Sequence, residues 1–222
     1  MVWDPDRGTH FGVIPRRGSA ADVKWFNLDA RFMFHMANAY ESDGVIHMDV
    51  TAANATQFGP KPDGTMAAES DGLNPILRRW SLDPNGDSNG VKEEVLDDMT
   101  CEFPRTDDLV STRPYRHMFA GGNGHDMALT FSDVVHYDMQ TGARKLYQGG
   151  DKYYFGEPVF APRKGATAEA DGYLIDLAYN RETGRSELMI FDALNVDKGP
   201  VATAMLSTRI PAGFHGSWVG AS

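Results

Sequence analysis

Three times in this chain a β-rich run meets a turn built on glycine or asparagine and is answered by a second β-rich run. "ILRRWSLD" passes through "PNGDSNG" into "VKEEVLDD". "DVVHYD" passes through "MQTG" into "ARKLYQG". "GYLIDLAYN" passes through "RETG" into "RSELMIFDA". Extended runs flanking such turns are the signature of β-hairpins. The hairpins recur at a spacing of roughly 40 to 55 residues, the range of propeller blades. No stretch has a convincing amphipathic helical period. Residues 43–53, the nearest thing to one, fit a strand better, because "VIHMDV" is short and β-branched. Twelve prolines and 23 glycines agree with a loop-rich, all-β chain. A sandwich, a barrel or a propeller would satisfy the pattern; the blade-like spacing favours the propeller. Residues 59–72 form a long polar excursion with no change of composition across it, so residues 1–222 read as one domain.

A chain of 222 residues can bury a substantial core. Its net charge of −10, from 31 acids against 21 bases with no basic run, argues against nucleic acid as a partner. Cys101 is the single cysteine, so no internal disulfide forms, and a reducing, cytoplasmic setting is expected. The opening "MVWDPDRGTHFGVIPRR" carries charges where a signal peptide needs an apolar stretch. No apolar run is long enough for a transmembrane segment.

The seven histidines, His10, His35, His47, His117, His125, His136 and His215, stand in no HExxH, HxH or CxxC arrangement. A metal site would have to be assembled from distant positions, as strands converging on a propeller axis allow. His35 lies in "FMFHMANAYE". On a regular strand Phe32, Phe34 and Met36 share one face, and Met33 and His35 the other. By itself His35 reads as a packed, hydrogen-bonded histidine. His215, in "IPAGFHGSWVGAS", reads as a turn histidine, with Gly213 and Gly216 allowing a close approach of the backbone. Glu102 in "CEFPR" and Glu157 in "FGEPVF" are acids in apolar settings, costly to bury without a partner. Two partners suit them: an arginine such as Arg105 or Arg163, or the N–H of a metal-bound imidazole, which a carboxylate orients toward the metal.

The fragments "FGVIPR", "WFNLDARFMFHMANAYE", "CEFPR", "FGEPVFAPR", "ADGYLIDLAYNRETGRSELMIFDA" and "GFHGSWV" occur in one order over nearly the whole chain. In that order the chain resembles the C-terminal half of the carotenoid cleavage oxygenase family. That family includes apocarotenoid oxygenases, lignostilbene dioxygenases and the retinoid isomerase of the eye. The resemblance implies a seven-bladed β-propeller, of which residues 1–222 hold roughly the last three or four blades. It implies Fe(II) on the propeller axis, held by four histidines, of which His35 and His215 match the third and fourth. Glu102 and Glu157 match carboxylates that orient those ligands, Glu102 on His35 and Glu157 on His215. Motifs for the first two histidines are not found. "GHDMALT", residues 124–130, is only superficially similar to one of them and lies out of order, so His125 reads as a loop or strand histidine.

The activity so implied is an Fe(II)-dependent dioxygenase that inserts O2 across a carbon–carbon double bond of an apocarotenoid or stilbene-type substrate. Histidine nitrogens suit Fe(II). Phe34, Phe103, Phe155 and Trp218 are expected either to line an apolar tunnel for the conjugated substrate or to pack in the blades. A second reading is an inactive half-propeller fragment acting as a binding module, since half the ligand set is missing. It associates through exposed blade edges. A third, a calcium-dependent propeller lactonase, needs clustered carboxylate and amide oxygens, which the sequence lacks.

Overall fold

The computed structural model describes residues 1–125 and 130–220. The chain divides into two compact units, Met1–Asp98 and Met99–Ser222. Both are built from antiparallel strands, and among the described residues the helices are short 3-10 turns.

In the first unit β1 (Thr9–Val13) pairs with β2 (Lys24–Leu28). β3 (Phe32–Ser42), β4 (Val45–Ala53), β5 (Ile76–Leu82) and β6 (Lys92–Arg105) follow one another in hydrogen-bonded order. β5 and β6 are the first hairpin expected from sequence. Residues 45–53 form a strand, as the β-branched run implied. Asp43 and Gly44 join β3 to β4 with φ of 53° and 76°. Positive φ at both central residues is the hairpin turn that matches strand twist, and Asp-Gly suits it. Met48, Val50, Ala52 and Trp80 point to a core with Phe26 and Leu82.

β3 departs from the expected alternation. Met33 pairs with Ala52 but His35 with Thr51, and Met36 pairs with Val50 but Asn38 with Asp49. Each step inserts one extra residue, a β-bulge. Directly paired residues share a face of the sheet. His35 therefore shares a face with Thr51 and Met33 shares the opposite face with Ala52, against the expectation that Met33 and His35 lie together. The bulges carry His35 to the side away from Val50 and Ala52, where Asn38 and Asp49 also point.

The boundary between the units falls within β6. In the second unit β6, β7 (His117–His125), β8 (Thr130–Asp138) and β9 (Ala143–Gln148) are neighbours in that order. A further sheet contains β10 (Tyr153–Tyr154), β11 (Val159–Pro162), β12 (Gly172–Asn180), β13 (Arg185–Asp192) and β14 (Ala202–Met205). β12 is bordered by β10 and β11 on one side and β13 on the other, and β14 closes the order. The pairs β8–β9 and β12–β13 are the other two expected hairpins. Phe103, Phe119, Phe131, Phe155, Leu174 and Phe191 anchor the core of this unit. Beyond β14 the chain runs to residue 220 without a further strand.

One glycine in this core is required by space. A Cβ on Gly121 would overlap the ring of Phe131. Phe131 in turn meets Phe103 edge to face, with centroids 5.6 Å apart. Gly121→Ala should therefore lower stability by about 1–3 kcal/mol, the usual cost of overpacking, read as a fall in the urea midpoint. An unchanged midpoint would show that Phe131 can move aside freely.

Candidate metal centre

Glu157 lies in the connection between β10 and β11, and its side chain is only 6% exposed. Its Oε1 lies 3.2 Å from Nδ1 of His215 and 3.1 Å from Nε of Arg105. Its Oε2 accepts a hydrogen bond from the Gly216 amide at 2.8 Å. Arg105 also donates through Nη2 to the Gly216 carbonyl. Both partners considered for Glu157, an arginine and an imidazole, are thus present together, whereas Arg163 pairs with Asp171 at 2.9 Å instead. The carboxylate is a hub that ties residues 215 and 216, in a segment without secondary structure, to β6.

The orientation matters chemically. An imidazole that donates Nδ1–H to a carboxylate is held as one tautomer, with its lone pair on Nε2, and becomes a better metal ligand. His215 is 57% exposed in its side chain, so it is not buried as core. Phe103 stands edge-on to it at 5.8 Å. Phe103 has φ of 55°, unusual for a bulky residue, at a point where Glu102 pairs with Gly121 and Arg105 with Phe119. One residue is extra there, and the resulting bulge aims the aromatic ring.

Glu102, one step earlier, is 3% exposed, and its Oε2 accepts from the Phe103 amide. His35 is half-buried on β3 of the first unit, and its carbonyl accepts from Thr51 Oγ1 at 3.4 Å. Phe34 beside it is exposed and meets Phe32 and Phe58 at 4.8 and 5.2 Å. Phe103 and Phe155 belong to the buried core of the second unit, and Trp218 is exposed. The side chain of His125 lies outside the described residues.

A pocket of about 470 Å³ in the second unit is lined by Phe155, Ile175, Leu188 and Phe214 together with Glu157 and His215. The carboxylate–imidazole pair therefore borders an apolar space large enough for an aromatic ring system.

Two arrangements were not anticipated. His117 Nδ1 lies 2.9 Å from His136 Nε2. Burial, then the neighbouring His117, pushes the buried His136 imidazole down to about 4. The two rings bond to one another, and among the described residues no three His, Cys, Asp or Glu side chains gather as a metal-ligand cluster. Asp176 is the other. It is 1% exposed on β12, and its Oδ1 accepts from the Gly156 amide at 3.1 Å. Burial, and then the charge of Glu157, pushes its carboxyl up to about 7 against the pull of the Gly156 amide. The sequence held one signal for it: an acid at an inward position of the alternating run "GYLIDLAYN".

An imidazole oriented by a carboxylate at the rim of an apolar pocket, on an all-β scaffold, can offer one nitrogen to a metal. The residues fit iron to that extent: His215 could hold it through one nitrogen, and His35 belongs to the first unit. The sequence pattern of the family described as retinal pigment epithelial membrane protein, RPE65, matches residues 1–220. The chain belongs to that family, the carotenoid cleavage oxygenases of the resemblance described above. It is 30% identical to the isoeugenol monooxygenase of Pseudomonas nitroreducens, over 98% of this chain and 48% of the relative. It superposes on the lignostilbene dioxygenase of Pseudomonas brassicacearum with a TM-score of 0.91 at 33% identity, covering 99% of this chain and 48% of the other. Cobalt-substituted Synechocystis apocarotenoid oxygenase gives 0.83 at 31% identity, with 98% and 45% covered. The chain thus spans about half the length of the curated relatives it matches.

Proposed function

We propose that residues 1–222 are the C-terminal part of a propeller-type, Fe(II)-dependent oxygenase. They form roughly three or four of seven blades. The complete protein cleaves a carbon–carbon double bond of a stilbene or apocarotenoid-type substrate with O2, in the cytoplasm. The observation that carries this is the hydrogen-bonded pair of Glu157 and His215 in a chain of this family. His35 and His215 would supply two of the iron ligands, with Glu102 and Glu157 orienting them. The bound iron would activate O2 toward the olefin. This chain's own part is to fix the His215 tautomer through Glu157 and to present an apolar wall to the substrate. The relatives named isoeugenol monooxygenase, lignostilbene dioxygenase and apocarotenoid oxygenase support an apolar, conjugated substrate. The cobalt-substituted relative supports a metal site.

The test compares two preparations made anaerobically with Fe(II): residues 1–222 alone, and the longer or paired polypeptide that carries them in the native cell. Iron per chain, oligomeric state, and aldehyde products from a stilbene and an apocarotenoid are measured. Near-stoichiometric iron and product are expected only in the second. There Glu157→Ala should weaken iron affinity or activity roughly 10- to 100-fold, the usual consequence of removing a carboxylate behind a ligating histidine. No iron and no product in the native form would favour the non-catalytic binding module instead. Stoichiometric iron and turnover by residues 1–222 alone would overturn the partial-site reading.

A further inference from the structure

We propose that Asp176 is a positioning residue of the His215 site: its buried carboxyl holds the Gly156 amide and thereby sets Glu157, the next residue, where it meets His215 and Gly216. The inference rests on His215 being a ligand that Glu157 orients. Residues 155 to 158 form a short bridge between two fixed points. At one end Phe155 exchanges backbone hydrogen bonds with Phe131, at 2.7 and 3.3 Å. At the other, Val159 enters β11 opposite Ile175. Gly156 and Glu157 lie between, and the Asp176 side chain reaches the Gly156 amide from β12.

The surroundings of Asp176 make a bystander role expensive. On its strand the inward neighbours are Leu174 and Ala178, and its cross-strand partner is Met189, all buried core residues. Its Oδ2 is buried with no hydrogen-bond partner. A carboxyl at such a position costs free energy in every protonation state, and an apolar side chain would remove that cost. What the acid supplies that leucine does not is an acceptor for the amide beside Glu157. The charged groups nearest this chain of contacts are Glu157 itself, then Arg105 and His215 on its far side.

Asp176→Asn keeps an acceptor of the same reach, and Asp176→Leu removes it while keeping the branching and the number of side-chain heavy atoms. Nitrogen-15 NMR of the 222-residue chain, in mildly alkaline buffer where imidazoles are neutral, reads two signals. One is hydrogen exchange at the Gly156 amide; the other is the His215 ring-nitrogen shifts, which report the tautomer. The Asn variant should retain both. The Leu variant should raise Gly156 exchange roughly tenfold, the scale of one lost hydrogen bond, and move His215 toward a mixture of tautomers. Merely structural damage would lower the melting temperature and leave the His215 tautomer alone. A folded Leu variant with wild-type His215 signals overturns the proposal, as does an Asn variant that loses as much as Leu. If Leu does not fold, Asp176→Ser, too short to reach Gly156, is judged by the same two signals. Neither signal depends on iron, so failure of the oxygenase reading would leave this result standing.

Discussion

Replacing Asp176 by asparagine should remove a pH dependence of stability worth about 4 kcal/mol between the ordinary carboxylate value of 3.8 and just above neutrality. The direction follows from linkage. Burial raises the folded-state carboxyl to about 7 from an ordinary 3.8. A group raised in this way binds its proton more tightly in the folded state. Its contribution is fully present below the unfolded value and is lost as pH rises through the folded one. The interval is about 3 pKa units at about 1.4 kcal/mol each, hence about 4 kcal/mol. The group is almost completely buried, so solvent screening takes little from that figure. Asparagine fills the same space and does not ionise. The measurement is urea unfolding of both proteins across this range, with the two curves subtracted so that other titrating groups cancel. Wild type should lose ground steadily to the variant as pH rises toward 7, and the gap should then level off. Parallel curves would show that the carboxyl titrates at an ordinary value.

The features legible in the sequence were those that depend on local pattern. Three hairpins were readable because alternation and a Gly- or Asn-bearing turn are both contained in one short stretch. The faces of β3 were not. A bulge slips the register by one residue, and which residue is extra depends on the partner strand. Met33 and His35 thus part company although their spacing says otherwise. The pairing of Glu157 with His215 was implied only by family resemblance. Residue chemistry alone offered an arginine equally well, and Arg105 does bind the same oxygen. Asp176 escaped because its core neighbour Met189 comes from strand pairing, and the Gly156 amide it accepts from comes from a connection outside β12. His117 and His136 escaped for a similar reason, since strand pairing, not sequence spacing, sets their rings together.

Glu93→Ala should destabilise the first unit by about 3 kcal/mol, the scale on which removing one partner strands a buried charge. Glu93 is 15% exposed and collects three donors. Arg31 reaches it at 2.6 Å, Arg78 at 3.1 Å and the Trp80 indole N–H at 2.8 Å. Alanine leaves two guanidinium groups side by side, Arg78 only 7% exposed, and strips the indole of the core residue Trp80 of its acceptor. Glu93→Gln keeps the shape and one acceptor oxygen, so it should cost less. The pH signature is opposite to that of Asp176. Burial alone would raise the Glu93 carboxyl, but hydrogen bonds from Arg31 and Trp80 and the charge of Arg78 hold it below the ordinary range. Its stabilisation is present above the ordinary carboxylate value and is lost as pH falls through the depressed one. Wild type should therefore lose its advantage over Glu93→Ala on acidification, while it loses its advantage over Asp176→Asn on the way up to neutrality. Urea midpoints of the three proteins at matched pH separate the effects. A Glu93→Ala midpoint equal to that of wild type at neutral pH would mean that the two arginines find water as readily as they find the carboxylate.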